Sequence, residues 1–239
     1  MRLLSVSSDA KTVKGEKKGF LTGILYLAPA DEASTKKLHI NVCTSSTVDC
    51  RRACLYSAGR ASIFPAIKRA RIRKTRLLYK NRELFLELLR KDIRALIARA
   101  KRQGLTPCVR INGTSDLPWL SLLMAGEFPE IQFYDYSAHI RTWERIRPNY
   151  HLTFSYKGSN LEESLLALQN GINVSVVFQI KKGHPLPETW QGYPVIDGDL
   201  SDLRFTDPKG CIVGLRSKGE ARKQVSSFVQ ISAPLPRVA

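Results

Sequence analysis

The chain has 239 residues, of which 43% are apolar and 25% charged, the proportions of an ordinary globular protein with a core of its own. Lys and Arg number 38 against 21 Asp and Glu, so the formal net charge is +17 and polyanions are the expected partners. No stretch approaches the length of a membrane span, and Met1 to Lys18 lacks the unbroken apolar segment of a signal peptide, so no membrane partner is expected and the expected location is cytoplasmic.

In chain order, residues 20–27 and 38–43 read as early strands, closed off by Pro29 and by the polar run after Cys43. The cysteine loop, 43–54, follows. A basic helical segment over 60–102 comes next, and residues 51–102 carry 17 Lys and Arg against three acids. Its clearest part is Arg82 to Arg102, where Leu84, Phe85, Leu88, Leu89, Ile93, Leu96, Ile97 and Ala100 recur at helical spacing, with Gly104 as the C-cap. Beyond it, strand-like segments at 108–111, 131–136, 150–154, 173–178 and 211–215 alternate with helix-like stretches at 118–126, 138–147 and 161–170. The expected fold is therefore α/β, with βα-alternating elements and a largely parallel sheet, either open or closed into a partial or distorted TIM-like barrel. Residues 1–232 form one domain in this reading, and 233–239 form a loose tail.

Cys43, Cys50 and Cys54 fall within twelve residues of a polar loop, with gaps of six and three. A reducing compartment disfavours disulfides, and thiols in an exposed loop oxidise unless they are coordinated, so metal is the leading explanation. If the second turn is helical, Cys50 and Cys54 share a face. Three thiolates suit a four-iron, four-sulfide cluster with one iron left open; zinc is the competitor, with His39 as a fourth ligand if residues 39–43 form a strand. The plain alternative is that all three are small buried hydrophobes with no metal.

In an α/β sheet the site belongs at the carboxyl ends of the strands. Asn112, Gly113, Thr114, Ser115 and Asp116 follow one such strand and Asp135 ends another; Asp116 and Asp135 are the candidate catalytic acids, and capping a helix is their structural alternative. Asp197, Asp199, Asp202 and Asp207 read first as turn formers and local ion pairs, Asp202 with Arg204 among them. Lys68, Arg69, Arg71, Arg73, Lys74 and Arg76, near Phe64 and Tyr79, form a candidate nucleic-acid strip; their alternative is a solvated helix face. Hydrolase and nucleotide-triphosphatase readings fall, because neither a Gly-rich phosphate loop nor a nucleophile elbow is present.

The strings CTSSTVDCRRACLYSAGR, KTRLLY, VRINGTSDLPW, FYDY, NYHLTFS, VIDGDLSDLRF and VGLRSKG resemble the phage and plasmid gene product 88 family over nearly the whole chain. That resemblance implies a bacterial host cell but no activity. More distantly, the chain is similar to radical SAM enzymes, whose three-cysteine loop follows the first barrel strand. This likeness implies that Cys43, Cys50 and Cys54 hold a 4Fe-4S cluster, and that the segment 112–116 is the counterpart of the one contacting the methionine end of S-adenosylmethionine. The gaps here are wider than in those enzymes. Two functions are thus expected as alternatives: a radical-SAM-like iron-sulfur enzyme acting on or near nucleic acid, and a basic nucleic-acid-binding protein with structural zinc or no metal.

Overall fold

A computed structural model describes residues 1–8, 10–58, 63–224 and 226–231. The tail assigned to 233–239 and the start of the basic segment at 60–62 lie outside the described residues. The chain runs through β1 (Leu4–Val6), α1 (Ala10–Glu16), β2 (Phe20–Leu25), the short α2 (Val48–Arg52), α3 (Pro65–Lys80), α4 (Arg82–Gln103), β3 (Thr106–Arg110), α5 (Pro118–Glu127), β4 (Gln132–Ser137), β5 (Tyr150–Ser155), α6 (Leu161–Gln169), β6 (Val174–Phe178), β7 (Thr189–Trp190), β8 (Tyr193–Asp197), β9 (Ile212–Arg216) and β10 (Val229–Gln230). Among the described residues no helix is long and apolar enough to cross a membrane.

The strands form one sheet of ten in the order β1-β2-β3-β4-β5-β6-β9-β8-β7, with β10 beside β6. Every pairing from β2 to β8 along that order is parallel, and only the edge pairs β1–β2 and β7–β8 are antiparallel. The protein is therefore mixed α/β with a mostly parallel, open sheet. Helices separate β2 from β3, β3 from β4 and β5 from β6, while a 3-10 turn (Ile140–Arg145) stands between β4 and β5 in place of the expected helix at 138–147. Pairing between β5 and β6 covers only Phe154–Val174 and Ser155–Ser175, and β10 takes over further along at Val177 and Phe178.

One face of the sheet carries the main core, where Leu21, Leu25, Val109, Phe133 and Leu152 meet α4 and α5. On α4, Phe85, Leu89, Ile93, Leu96 and Ala100 are buried, as the spacing predicts, and Gly104 closes the helix in the left-handed region. Leu84 departs from the pattern: it is 41% exposed because it sits in the first turn, where Asn81 caps the helix by accepting from its N–H at 3.0 Å. Asn81 also ends α3, so the basic segment is two helices rather than one. The opposite face combines a small apolar cluster, Cys108, Tyr134 and Leu203 with Phe20 and Phe205, with buried charge. There the segment 201–207 packs under β3 and β4, and Arg110 donates to both oxygens of Asp202 at 3.0 Å while stacking over the Tyr136 ring. Arg204 pairs with Asp207 at 3.2 Å.

The expected strand at 38–43 does not form. Ile40 and Val42 are buried in the main core, but the Asn41 side chain takes the Cys43 N–H at 2.8 Å, and only isolated bridges occur, Thr35 with Leu38 and Cys43 with Asp116. The alternation of apolar residues serves packing along an irregular segment. The inward face of α4 makes one prediction: Phe85→Ala should cost about 3–5 kcal/mol in denaturant unfolding, and Leu84→Ala less than about 1 kcal/mol. Equal losses would contradict this orientation.

Candidate functional site

The cysteine loop lies between β2 and β3 and returns to the carboxyl edge of the sheet. Two backbone bonds fix its first part: Val42 N–H donates to the Ala30 carbonyl at 3.1 Å and Asp116 N–H to the Val42 carbonyl at 2.7 Å. Ala30, in the left-handed region at φ 45°, directs its N–H to Cys43 Sγ at 3.4 Å. Thr47 caps α2 by accepting from Cys50 N–H at 3.1 Å, and its hydroxyl donates to the Lys157 carbonyl, tying the loop to the turn after β5. Cys50 is thus helical as expected, and Cys54 lies just past the C-cap Ala53, its N–H still bonded to the Arg51 carbonyl at 3.3 Å.

All five cysteines are free thiols. Cys43, Cys50 and Cys54 are close enough to feel one another's charge. Burial pushes the Cys43 and Cys50 thiols up to about 12, and the neighbouring thiols and Asp116 add to the shift. Cys54 is raised chiefly by burial, against the pull of Arg71. Among the described residues no group of three or more His, Cys, Asp and Glu side chains is arranged to hold a metal ion. The three thiols and the Asp116 carboxylate raise one another's cost of ionisation, and a cation placed among them would offset that repulsion. His39 is exposed and belongs to no strand with Cys43, which removes the premise for its role as fourth ligand. Cys108 is buried against Thr22, Tyr134 and Leu203, and Cys211 precedes β9 at the amino end of the strands, away from the loop.

Asn112 to Asp116 form the turn after β3, and most of their side chains are engaged internally. Asp135 is fully buried and accepts from Asn112 N–H at 2.6 Å, from the Asn112 side chain at 3.3 Å and from the Ser121 hydroxyl. Asn112 Oδ1 in turn accepts from Leu117 N–H and the Ser115 hydroxyl, each at 2.9 Å, and the Thr114 hydroxyl donates to the Leu27 carbonyl. Gly113 lies against β2, where a Cβ would come within 2.8 Å of Ile24 Cγ2 and the Leu25 carbonyl. The geometry gives Asn112, Gly113, Thr114, Ser115 and Asp135 a shaping role in this turn. Asp116 differs. One oxygen accepts from Ala138 N–H at 3.0 Å and lies 3.8 Å from His139 Nε2, while the other is buried with no hydrogen-bond partner. Burial raises its carboxyl above the ordinary range.

Three residues that the sequence pattern does not place beside the cysteines lie near them. His139 contacts the hydroxyls of Thr44 at 3.2 Å and Ser45 at 3.0 Å, Lys157 sits near both Cys50 and Asp116, and Arg71 lies beside Cys54. Arg71, one of the residues of the basic strip, lies over the rings of Tyr26 and Tyr56 at 4.7 and 5.6 Å. Lys74 donates to the Leu3 carbonyl at 2.6 Å and Arg76 to the Ala33 carbonyl at 2.9 Å, so these two hold backbone. Lys68 lies 5.3 Å over the Tyr56 ring, and Arg69 and Arg73 are exposed. The Asp pairs also differ in detail: Asp202 accepts from Arg110, Arg204 pairs with Asp207, and Asp197 and Asp199 meet Arg216.

A family model described as gene product 88 matches residues 2–230. The chain belongs to the gene product 88 family. No curated protein and no solved structure matches it. In this gene product 88 protein, the turn that meets the cysteine loop depends on Asp135, whose carboxyl burial pushes from 3.8 to about 7 against the hydrogen bonds of Ser121 and Asn112. Its folded value is raised, so its contribution to stability is full below the unfolded value and is lost as pH rises through about 7. Wild type should therefore lose on the order of 2 kcal/mol relative to Asp135→Asn between about pH 5 and about pH 8 in chemical unfolding. Parallel pH profiles for the two proteins would contradict the raised value.

Proposed function

We propose that this protein is an iron-sulfur enzyme of radical-SAM-like type, in which Cys43, Cys50 and Cys54 hold a four-iron cluster at the carboxyl edge of the sheet. The observation that carries the reading is the meeting of three mutually interacting thiols with a carboxylate whose inner oxygen has no hydrogen-bond partner, in the loop after β2. The order of parts supports it: a first parallel strand, a cysteine loop, helices, a second parallel strand and a turn that bridges back to Cys43. In this reading the open parallel sheet is a partial barrel. When bound, such a cluster supplies an open iron for S-adenosylmethionine and an electron for its cleavage.

The protein's own groups would do the rest. Lys157, Arg71 and Arg51 lie near enough to the thiols to favour their charged forms, and His139 holds the outer loop by Thr44 and Ser45. Because the side chains of Asn112, Thr114 and Ser115 are engaged within the turn, contact with the methionine end of S-adenosylmethionine falls to backbone groups there and to Asp116. Arg71 stacks on the rings of Tyr26 and Tyr56 beside Cys54. Action on or near nucleic acid rests on a reduced strip, since Lys68, Arg69 and Arg73 are left to meet phosphates.

Zinc is the second reading, and the unpartnered Asp116 oxygen favours it, because a carboxylate completes a tetrahedron with three thiolates. The metal itself decides between them. Protein purified without oxygen should contain about four irons and four sulfides per chain, and the Cys43→Ala, Cys50→Ala, Cys54→Ala triple variant should contain neither. Stoichiometric zinc would replace the cluster with a structural site, and absence of both metals would refute the cysteine reading.

A further inference from the structure

Beyond the cysteine loop, the carboxyl ends of β6 and β9 open into a cleft of about 400 Å³ whose wall includes Ser57, Lys182, Asp199, Arg216, Lys218 and Arg222. A second cleft of about 610 Å³ shares Lys182, Ser217 and Arg222 with it and adds Lys181. Clefts of about 300–1,000 Å³ suit a small metabolite.

The charges of the wall fall into two groups. Arg216 donates to both oxygens of Asp197 at 2.9 Å and to Asp199 at 3.2 Å, and it also donates to the His184 carbonyl at 2.8 and 2.9 Å. Lys218 pairs with Asp199. Two cations thus meet two carboxylates, and this group forms a rigid, nearly neutral side. Lys182 and Arg222 are exposed and, among the described residues, have no carboxylate partner. Arg222 Nε reaches the Ser217 carbonyl at 3.4 Å, which orients the guanidinium and leaves its outer nitrogens as donors. Two unmatched cations across a concave wall fit a dianion, and a planar guanidinium with an ammonium fits the oxygens of a phosphate.

We infer that this cleft binds the phosphate group of a nucleotide-sized phosphomonoester through Lys182 and Arg222. The site adjoins the cysteine loop. Ser57, three residues after Cys54, accepts from Glu220 N–H at 3.3 Å, and Gly219, at φ 56°, lies so close that a Cβ would be 2.8 Å from the Ser57 hydroxyl. The loop after β9 therefore rests on the segment that follows Cys54, and a ligand in the cleft is held beside the cysteine loop. Phosphate binding itself needs no metal there.

Calorimetric titration of the full chain with adenosine 5′-monophosphate, adenosine and inorganic pyrophosphate tests this. The monophosphate and pyrophosphate should bind saturably and compete, adenosine should not bind, and Lys182→Ala or Arg222→Ala should each weaken binding about tenfold or more without changing thermal unfolding. Lys36→Ala, on the exposed turn before His39, should leave binding unchanged. A 5′-phosphorylated oligonucleotide that displaces the monophosphate would place the recognised group on a strand end, and one that fails to would place it on a free small molecule. Absence of saturable phosphate binding in the millimolar range, or binding indifferent to both substitutions, would overturn the inference.

Discussion

The buried carboxylate of Asp135 is the constraint on which the site depends. It takes the backbone and side-chain N–H groups of Asn112 and the hydroxyl of Ser121, and Asn112 then shapes the turn through Ser115 and Leu117. That turn presents the Asp116 N–H to Val42, and the bridge sets Cys43 beside Asp116. Remove the acceptor and the Asn112 backbone N–H and Ser121 hydroxyl, both buried, lose their partner, which costs more than the hydrogen bonds contributed. A residue on β4 thus fixes a cysteine some ninety positions earlier in the chain, through one polar relay at the carboxyl edge.

On the other face of the sheet a buried ion pair lies beside a small apolar cluster. Arg110 and Asp202 form a buried pair whose charges would be costly if either stood alone, and the Tyr136 ring beneath the guanidinium replaces some of the lost hydration. By holding the segment 201–207 under the strands, this pair leads the chain into β9 and the Arg216 cluster beyond it. The acidic residues of VIDGDLSDLRFTD are therefore partners for arginines.

Strands β3, β4, β5, β6 and β9 were legible because each is an apolar run closed by turn residues and buried on both faces. Short strands gave no such signal: β1 has three residues, and β8 carries Pro194 beside an Asp and Gly-rich turn. Ile40 and Val42 read as a strand because alternation reports burial, which an irregular segment can also provide. Of the candidate site, the three cysteines and Asp116 were visible from spacing and position after a strand. Arg71, Lys157 and His139 were not, since each reaches the loop from a distant element and nothing in local sequence marks a charged residue as turned inward. Within the basic strip the same limit holds: a run of charge does not reveal that Lys74 and Arg76 donate to backbone carbonyls.

Under the proposed reading, three thiolates from this loop would hold a cluster and leave one metal position for S-adenosylmethionine. Mössbauer spectroscopy of the anaerobically reconstituted, iron-labelled protein, with and without S-adenosylmethionine, tests it most directly. About one iron in four should be distinct from the others and should change its signal when S-adenosylmethionine is added. Four equivalent irons that ignore the addition would contradict it.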